Sequence, residues 1–442
     1  MEMKSFKGGA HVPHFKRYTD RVQIQPMSVP ERVTIPMHQC LGAPCEPLVK
    51  AGDRVSVGQI IGDSGEMISA PVHASVNGVV EKVETLAYCS GDVAKSVIIK
   101  TEGENHSFEP SVKRDPGAMS KEEIIQAIRD AGIVGMGGAS FPTHVNVNTR
   151  QPVDYLVLNG AECEPFLTCD HRAMVERADE LVAGAEILSR VIGAKKCLIG
   201  IEVNKPDALE TLKEKTKDNE LFEIVPLAVK YPQGFKSILI KSATGRDVRR
   251  GARSAEIGCI VRNVGTTIAV YEAVVYGKPL IERVITVSGP QVPHPGNFLT
   301  KIGTPVGHML AHCGVTTYDD MKVILGGPMT GRAQDTLEAP VIKNSTGVLM
   351  LPVEMVREHA PHEHCVRCGK CVARCPMRLY PNQLSIFAET ENYEGLEAWN
   401  IMDCMECGIC VFSCPSNRPI LEFIRHAKPV VKKMELVRKQ AQ

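Results

Sequence analysis

Eight of the sixteen cysteines in this 442-residue chain fall in two short runs, CVRCGKCVARCP at 365–376 and CMECGICVFSCP at 404–415. Each run spaces its thiols C-x2-C-x2-C-x3-C and sets a proline after the last. No other feature constrains the fold as much. Three thiolates at that spacing can wrap three corners of an iron–sulfur cube, whereas a tetrahedral zinc site draws two close pairs from separate segments. The fourth cysteine of a run is too strained to close the same cube, so it is expected to reach the neighbouring one. One [4Fe–4S] cluster is therefore expected on Cys365, Cys368, Cys371 and Cys414, and a second on Cys404, Cys407, Cys410 and Cys375. Two structural zinc sites are the alternative. Gly369 and Gly408 stand where the backbone passes close to sulfide, and Pro376 and Pro415 end the loops.

A chain of this length suggests about three domains. Lys plus Arg (51) balances Asp plus Glu (51), so no global field attracts nucleic acid or an anionic bilayer. With 43% hydrophobic and 23% charged residues the composition is that of a soluble globular protein. No apolar run approaches the roughly 18 residues of a membrane span, and the start has no apolar signal-peptide core. A cytoplasmic chain without a transmembrane segment, able to dock on a membrane partner, is expected. Thiols stay reduced there, so Cys40, Cys45, Cys89, Cys163, Cys169, Cys197, Cys259 and Cys313 read as buried small hydrophobes rather than a disulfide framework.

Upstream, AGIVGMGGASFPTH (131–144) follows a helical pattern capped by Ser120. Gly135, Gly137 and Gly138 would let backbone N–H groups crowd a phosphate or the edge of a flat ring; a plain tight turn is the other reading. Next, VDYLVLNGAECEPFLTCDHRAM (153–174) is an apolar strand running into a polar loop with Asn159, Glu162, Cys163, Glu164, Asp170 and His171. Ligands of α/β folds sit beyond the carboxyl ends of strands, where these groups fall. Strand–helix alternation then continues to about residue 277, which argues a parallel sheet with ligand loops at one edge. Clusters exchange electrons singly, while a nicotinamide gives or takes a hydride. A flavin does both, so a nicotinamide-facing domain joined to two clusters implies one.

Two further segments have their own rhythm. Residues 43–84 carry short alternating strands with Gly-Asp and Asn-Gly turns, the pattern of a lipoyl-like barrel-sandwich. Its expected hairpin tip, DSGEMISA, has no lysine for a prosthetic arm, and Cys45 with His73 is a pair rather than a metal site. The tail RHAKPVVKKMELVRKQAQ reads as a short basic amphipathic helix, either solvated or in contact with a membrane subunit or anionic headgroups.

These residues resemble a known family. FKGGAHVPHFK, LGAPCEPLVKAGDRVSVGQIIG, GIVGMGGASFPTH, NGAECEPFLTCDHR, KYPQG, NVGTTIAVYEA, GGPMTG and the cysteine runs with CPSNRPILEFIR are similar, nearly end to end, to the C subunits of Rnf complexes. Those complexes are membrane-bound ferredoxin:NAD oxidoreductases that couple electron transfer to Na+ or H+ transport. The centre also resembles the FMN-bearing, NADH-oxidising subunit of complex I. The resemblance implies a multidomain α/β chain. It has an N-terminal extension (1–28), a lipoyl-like barrel-sandwich (29–101), a Rossmann-like FMN/NAD(H)-binding domain (118–280), and a β-grasp domain (281–352). A two-cluster ferredoxin-like helical domain (355–425) and a basic tail (426–442) complete it.

By the same resemblance, Gly135, Gly137 and Gly138 border a non-covalent FMN, and Asn159, Glu162 and Cys163 face its ribityl chain and ring edge. Tyr231 and Gly234 come from KYPQG and Asn263 from VRNVGT, while Phe141 stacks near the nicotinamide of NAD(H), the substrate. The SATG segment at 242–245 only loosely matches the threonine-attachment motif of other Rnf subunits. Both relatives place a lysine, for the phosphate contact, where this chain has Asn146; Arg150 or Lys236 would then supply that charge. Phe235 and Lys236 stand where the complex I relative has an acidic pair. The implied function is an electron-input subunit on the cytoplasmic face of the membrane, passing electrons to membrane partners that include an iron–sulfur or flavin subunit. A stand-alone reductase feeding a cobalamin or amino-acid reductase, and a relay without nicotinamide binding, are the alternatives.

Overall fold

Two small sheets build the first unit of the computed structural model, which describes residues 3–88, 91, 93–138, 140–249, 251–356, 361 and 363–440. Cys89, the first two residues of the N-terminal extension and the last two of the tail lie outside the described residues. Strands Arg32–Pro36, Val93–Thr101, Gly78–Ala87 and Arg54–Val55 form an antiparallel sheet, and Glu46–Pro47, Ile60–Asp63 and Val72–His73 a second one. Alternation turns Val33, Ile35, Val97 and Ile99 of the first sheet inward onto Ile61 and Val72 of the second. Cys45 and His73 belong to this interior: the thiol donates to the Ala70 carbonyl at 3.3 Å, and burial depresses the imidazole pKa to about 3.

The central unit is a parallel sheet in the order Phe222–Leu227, Lys196–Glu202, Tyr155–Gly160, Cys259–Asn263. Its helices are α1 (Lys121–Asp130), α2 (Thr143–Val147), α3 (Cys169–Glu176), α4 (Ala178–Ile192), α5 (Pro206–Thr216), α6 (Lys236–Thr244) and α7 (Val264–Tyr276). Leu156 and Leu158 point to the face packed by α1, α4 and α7, while Val157 points to the face covered by α6. Burial on both faces is why these strands read as nearly unbroken apolar runs. Ser120 caps α1: its hydroxyl accepts from the Glu123 amide and the Glu123 carboxylate accepts from the Ser120 amide.

The third unit spans the strands Glu282–Ser288, Gly296–Lys301, Met321–Leu325, Arg332–Ala333 and Gly347–Pro352. Counted within the unit, their order across the sheet is second, first, fifth, third, fourth, with helix Val306–His312 between the second and third, which is the β-grasp arrangement. The N-terminal extension adds to this sheet: Ile24–Pro26 pairs in parallel with Asn297–Leu299. Earlier in the same segment the Ala10 and Tyr231 amides and carbonyls pair at 2.9 Å, and the Gly9 amide donates to the Arg374 carbonyl. The extension thus straps three units together.

Helices Lys370–Arg374, Pro381–Glu389, Tyr393–Ala398 and Ile409–Phe412 and the long Ile420–Gln440 helix form the fourth unit around Leu384, Leu396, Ile401 and Ile424. The boundary expected at 425/426 is corrected here. The tail is not a separate short helix but continues the last helix of the cluster unit, through Pro429, and buries Ala427 and Val431 in that unit's core. Only beyond these do Leu436 and Val437 stand exposed. No helix among the described residues is long and apolar enough to cross a membrane.

Lys343 locks three units. Fully buried, its ammonium donates to the Pro71 carbonyl at 2.6 Å and the Gly132 carbonyl at 2.8 Å. Lys343→Met keeps the aliphatic stem and strands both carbonyls, so it should cost about 2–4 kcal/mol in a denaturant or thermal melt. Burial lowers this lysine's pKa to about 8 from 10.5, so between those values the unfolded chain binds more protons and stability rises with pH. The melting gap between wild type and Lys343→Met should therefore widen as pH is raised from about 8 toward about 10.

Candidate functional site

The carboxyl ends of the Tyr155–Gly160 and Cys259–Asn263 strands lie side by side, with Asn159 opposite Asn263 in the register. Asn159 donates to the Gly234 carbonyl at 2.8 Å, and the Gly234 amide donates to Cys163 Sγ at 3.4 Å. That draws the KYPQG loop onto the NGAECEPF loop. On the other strand Asn263 caps α7, its Oδ1 accepting from the Gly265 and Thr266 amides. The asparagine's amide donates to Asp170 Oδ2 at 2.7 Å.

The glycine-rich loop lies on this cap. A Cβ on Gly137 would stand 3.1 Å from the Asn263 Cβ, and the Met136 amide donates to the Thr266 hydroxyl. Gly138, at φ +125°, would present a Cβ to open space. Phe141 closes the loop through its backbone, its carbonyl accepting from the Gly135 amide at 3.0 Å, and its side chain is half-buried.

Glu162 does not face open space. It sits at φ +44° and its carboxylate accepts from the Asp170 and His171 amides, the first turn of α3, where helix-end polarity favours an anion. Burial, and then that neighbouring carboxylate, push the Asp170 pKa up. Burial pushes the Cys163 thiol well up too, so it is a protonated packing group rather than a nucleophile. Beneath the loop lie two buried lysines that no local pattern signals: Lys16 donates to the Glu164 and Leu167 carbonyls, and Lys205 to the Ala161 carbonyl at 2.7 Å. Glu164 in turn accepts from the Met329 amide and the Thr330 hydroxyl, seating GGPMTG against this loop.

Tyr231 is placed elsewhere than the resemblance implies. Its ring is buried with Cys163, Met329, Cys407 and Ile409, and its hydroxyl donates to the Cys407 carbonyl at 2.7 Å. The tyrosine therefore joins the flavin-type loops to the second cysteine run. Asn146 also has an unforeseen partner: Arg262 donates to its Oδ1 at 2.5 Å.

The two cysteine runs are structural copies. Arg367 and Glu406 have positive φ, as do Gly369 and Gly408, which open short helices, and Arg378 and Asn417, three residues after each final cysteine. Such alternation turns successive amides toward one concave side. Cys365, Cys368, Cys371 and Cys414 line one cavity, with the last drawn from the other run. In turn the Cys404, Cys407 and Cys410 thiols are all close enough to Cys375 for it to raise their pKa values, after burial itself. Among the described residues no three or more His, Cys, Asp or Glu gather so as to hold a single metal ion. Four thiols lining one cavity are the donor set that an iron–sulfur cluster takes. The surroundings differ: Cys368 and Val366 are exposed, whereas Cys407 and Cys410 are buried.

Residues 4–104 match the family described as the RnfC barrel sandwich hybrid domain, 128–272 the Nuo51 FMN-binding domain, and 364–418 a 4Fe-4S dicluster domain. The composite defines an FMN- and iron–sulfur-type electron-transfer protein. Over 430 residues, 96% of this chain and 94% of the relative, it is 41% identical to the C subunit of the proton-translocating ferredoxin:NAD(+) oxidoreductase complex of Clostridium ljungdahlii. It is 40% identical, over 96% of both chains, to the C subunit of the Na(+)-translocating complex of Acetobacterium woodii. The chain belongs to the family of C subunits of ion-translocating ferredoxin:NAD(+) oxidoreductase complexes. A solved NAD+-reducing [NiFe]-hydrogenase shares the fold, with a TM-score of 0.51 and 22% identity over 70% of this chain and 64% of that one.

Tyr231→Phe keeps the ring and removes only the bond to Cys407. It should cost about 1 kcal/mol in a denaturant titration and, if each run holds a cluster, perturb the spectrum of the second run's rather than the first's.

Proposed function

We propose that the chain is the NAD(H)-facing electron subunit of an ion-translocating ferredoxin:NAD+ oxidoreductase, held at the cytoplasmic face of the membrane by its partner subunits. In this reading Gly135, Gly137, Gly138, Asn159, Gly234 and Asn263 line a non-covalent FMN site, with Phe141 at its nicotinamide side. Bound FMN exchanges a hydride's two electrons with a nicotinamide and single electrons with a cluster. Glu162, Cys163 and Tyr231 act from behind, fixing the loops. The residues present fit the group: the glycine loop leaves open space at Gly138, and Arg262 keeps a buried Nε–H without a partner.

The observation that carries the reading is the Tyr231–Cys407 bond, because it sets a flavin-type loop directly against one of two matched cysteine runs. The group of Cys404, Cys375 and the buried Cys407 and Cys410 then adjoins the flavin site. The run with exposed Cys368 and Val366 faces outward to an iron–sulfur or flavin partner. No acid–base residue is required; the chain's task is to bind, orient and exclude water.

The test is anaerobic purification followed by NADH. Bleaching of the flavin and reduction of two clusters is the expected result, and a bound flavin that NADH leaves oxidised would make the chain a relay. The cysteine grouping has its own prediction. Cys375→Ser and Cys407→Ser should remove the same paramagnetic signal and about half the iron, and Cys414→Ser the other signal.

A further inference from the structure

Among the described residues no counter-charge faces Arg262. It precedes the Asn263 cap at the carboxyl end of its strand and is partly buried. Of its five N–H donors, one goes to its own Val261 carbonyl at 2.9 Å and one to Asn146 Oδ1 at 2.5 Å. The buried Nε–H has no partner among the described residues. Burial lowers its pKa to about 10, and no neighbouring carboxylate offsets this. Lys236, at the start of α6, is near enough that the Arg262 charge lowers its pKa further, after burial. Among the described residues neither cation forms an ion pair.

A buried guanidinium with an N–H left over and no facing acid among the described residues is unfavourable unless something anionic joins it. Planar N–H forks match phosphate oxygens, and the mixture of a guanidinium and an ammonium suits a doubly charged phosphate ester. The location says which molecule carries it. Asn146 sits on α2, which begins directly after the glycine-rich loop, and Gly137 of that loop abuts Asn263, the next residue after Arg262. Any phosphate here belongs to the ligand that the glycine loop borders.

We propose that Arg262, supported by Lys236, supplies the counter-charge for the phosphate of the flavin nucleotide, and that Asn146 positions its guanidinium. This rests on the flavin site proposed above. The other source of the same chemistry is the diphosphate of the nicotinamide dinucleotide. In the empty protein the pair costs stability that the ligand returns, so affinity and apo-stability should move in opposite directions.

The test uses the full chain with its clusters in place and its flavin removed, titrated with FMN and with riboflavin by fluorescence quenching. Wild type should prefer FMN. Arg262→Gln should weaken FMN by about 10- to 100-fold and leave riboflavin unchanged. Its flavin-free form should melt at or above the wild-type temperature, with a smaller rise on adding FMN. Moving the cation across the contact, Asn146→Lys together with Arg262→Gln, should restore most of the preference for FMN. If both flavins bind and their ratio ignores Arg262→Gln, the inference is overturned while the flavin site stands. If ADP-ribose affinity of the flavin-loaded protein falls in place of FMN affinity, the flavin assignment is overturned in favour of the dinucleotide. If wild type binds neither flavin, both readings fall.

Discussion

One hydrogen bond joins the two halves of the molecule's chemistry: the Tyr231 hydroxyl on the Cys407 carbonyl, in a dry patch with Cys163, Met329 and Ile409. A hydroxyl buried among apolar side chains must find a partner or cost free energy, so the bond fixes how the KYPQG loop meets the second cysteine run. The N-terminal strap reinforces the junction from outside, pairing Ala10 with Tyr231 and Gly9 with Arg374. A Cβ on Gly8 would stand 2.9 Å from the Cys375 carbonyl and one on Gly408 2.9 Å from the Met329 carbonyl, so both contacts depend on bare backbone.

The loop at the end of the Tyr155–Gly160 strand is held from below by charge rather than by apolar packing. Lys16 and Lys205 each spend their ammonium on loop carbonyls, and Glu162 and Glu164 spend their carboxylates on backbone amides and Thr330. Taking such groups out of water is costly, and removing one partner would leave the other charge buried. The benefit is stiffness: a backbone loop saturated with charge-assisted bonds holds its geometry. Lys343 does similar work where the barrel-sandwich, the central sheet and the β-grasp unit meet.

Much of this was legible in the sequence because the signals are local. The cysteine spacing, the Ser120–Glu123 box, the strand–helix alternation and the polar loop after Leu158 each lie within a few residues of one another. The misses are long-range. KYPQG marks a loop, but only folding shows that Tyr231 turns away from the strand ends toward a cysteine 176 residues on. Asn146 reads as a lost charge with Arg150 or Lys236 as substitutes, yet the residue touching it is Arg262, hidden inside an apolar strand pattern 116 residues away. The tail reads as basic from its Lys and Arg, but Ala427 and Val431 sit on the face that the cluster core needs, so the helix cannot be divided at 425.

The shared spacing of the two cysteine runs makes their differences informative. Both share the positive φ at Arg367 and Glu406 and at Gly369 and Gly408, so the runs differ more in surroundings than in backbone. The second is walled by Tyr231, Met329 and the long helix, whose Lys428 donates to the Cys404 carbonyl at 2.9 Å and whose Arg425 and Lys428 pair with Glu406. The first presents Val366 and Cys368 to the outside. Nearby cations and burial tune a cluster's redox behaviour, while exposure lets a partner approach. In the reading proposed above, the run with buried Cys407 and Cys410 is the end that meets the flavin-type loops, and the run with exposed Cys368 is the end open to a partner.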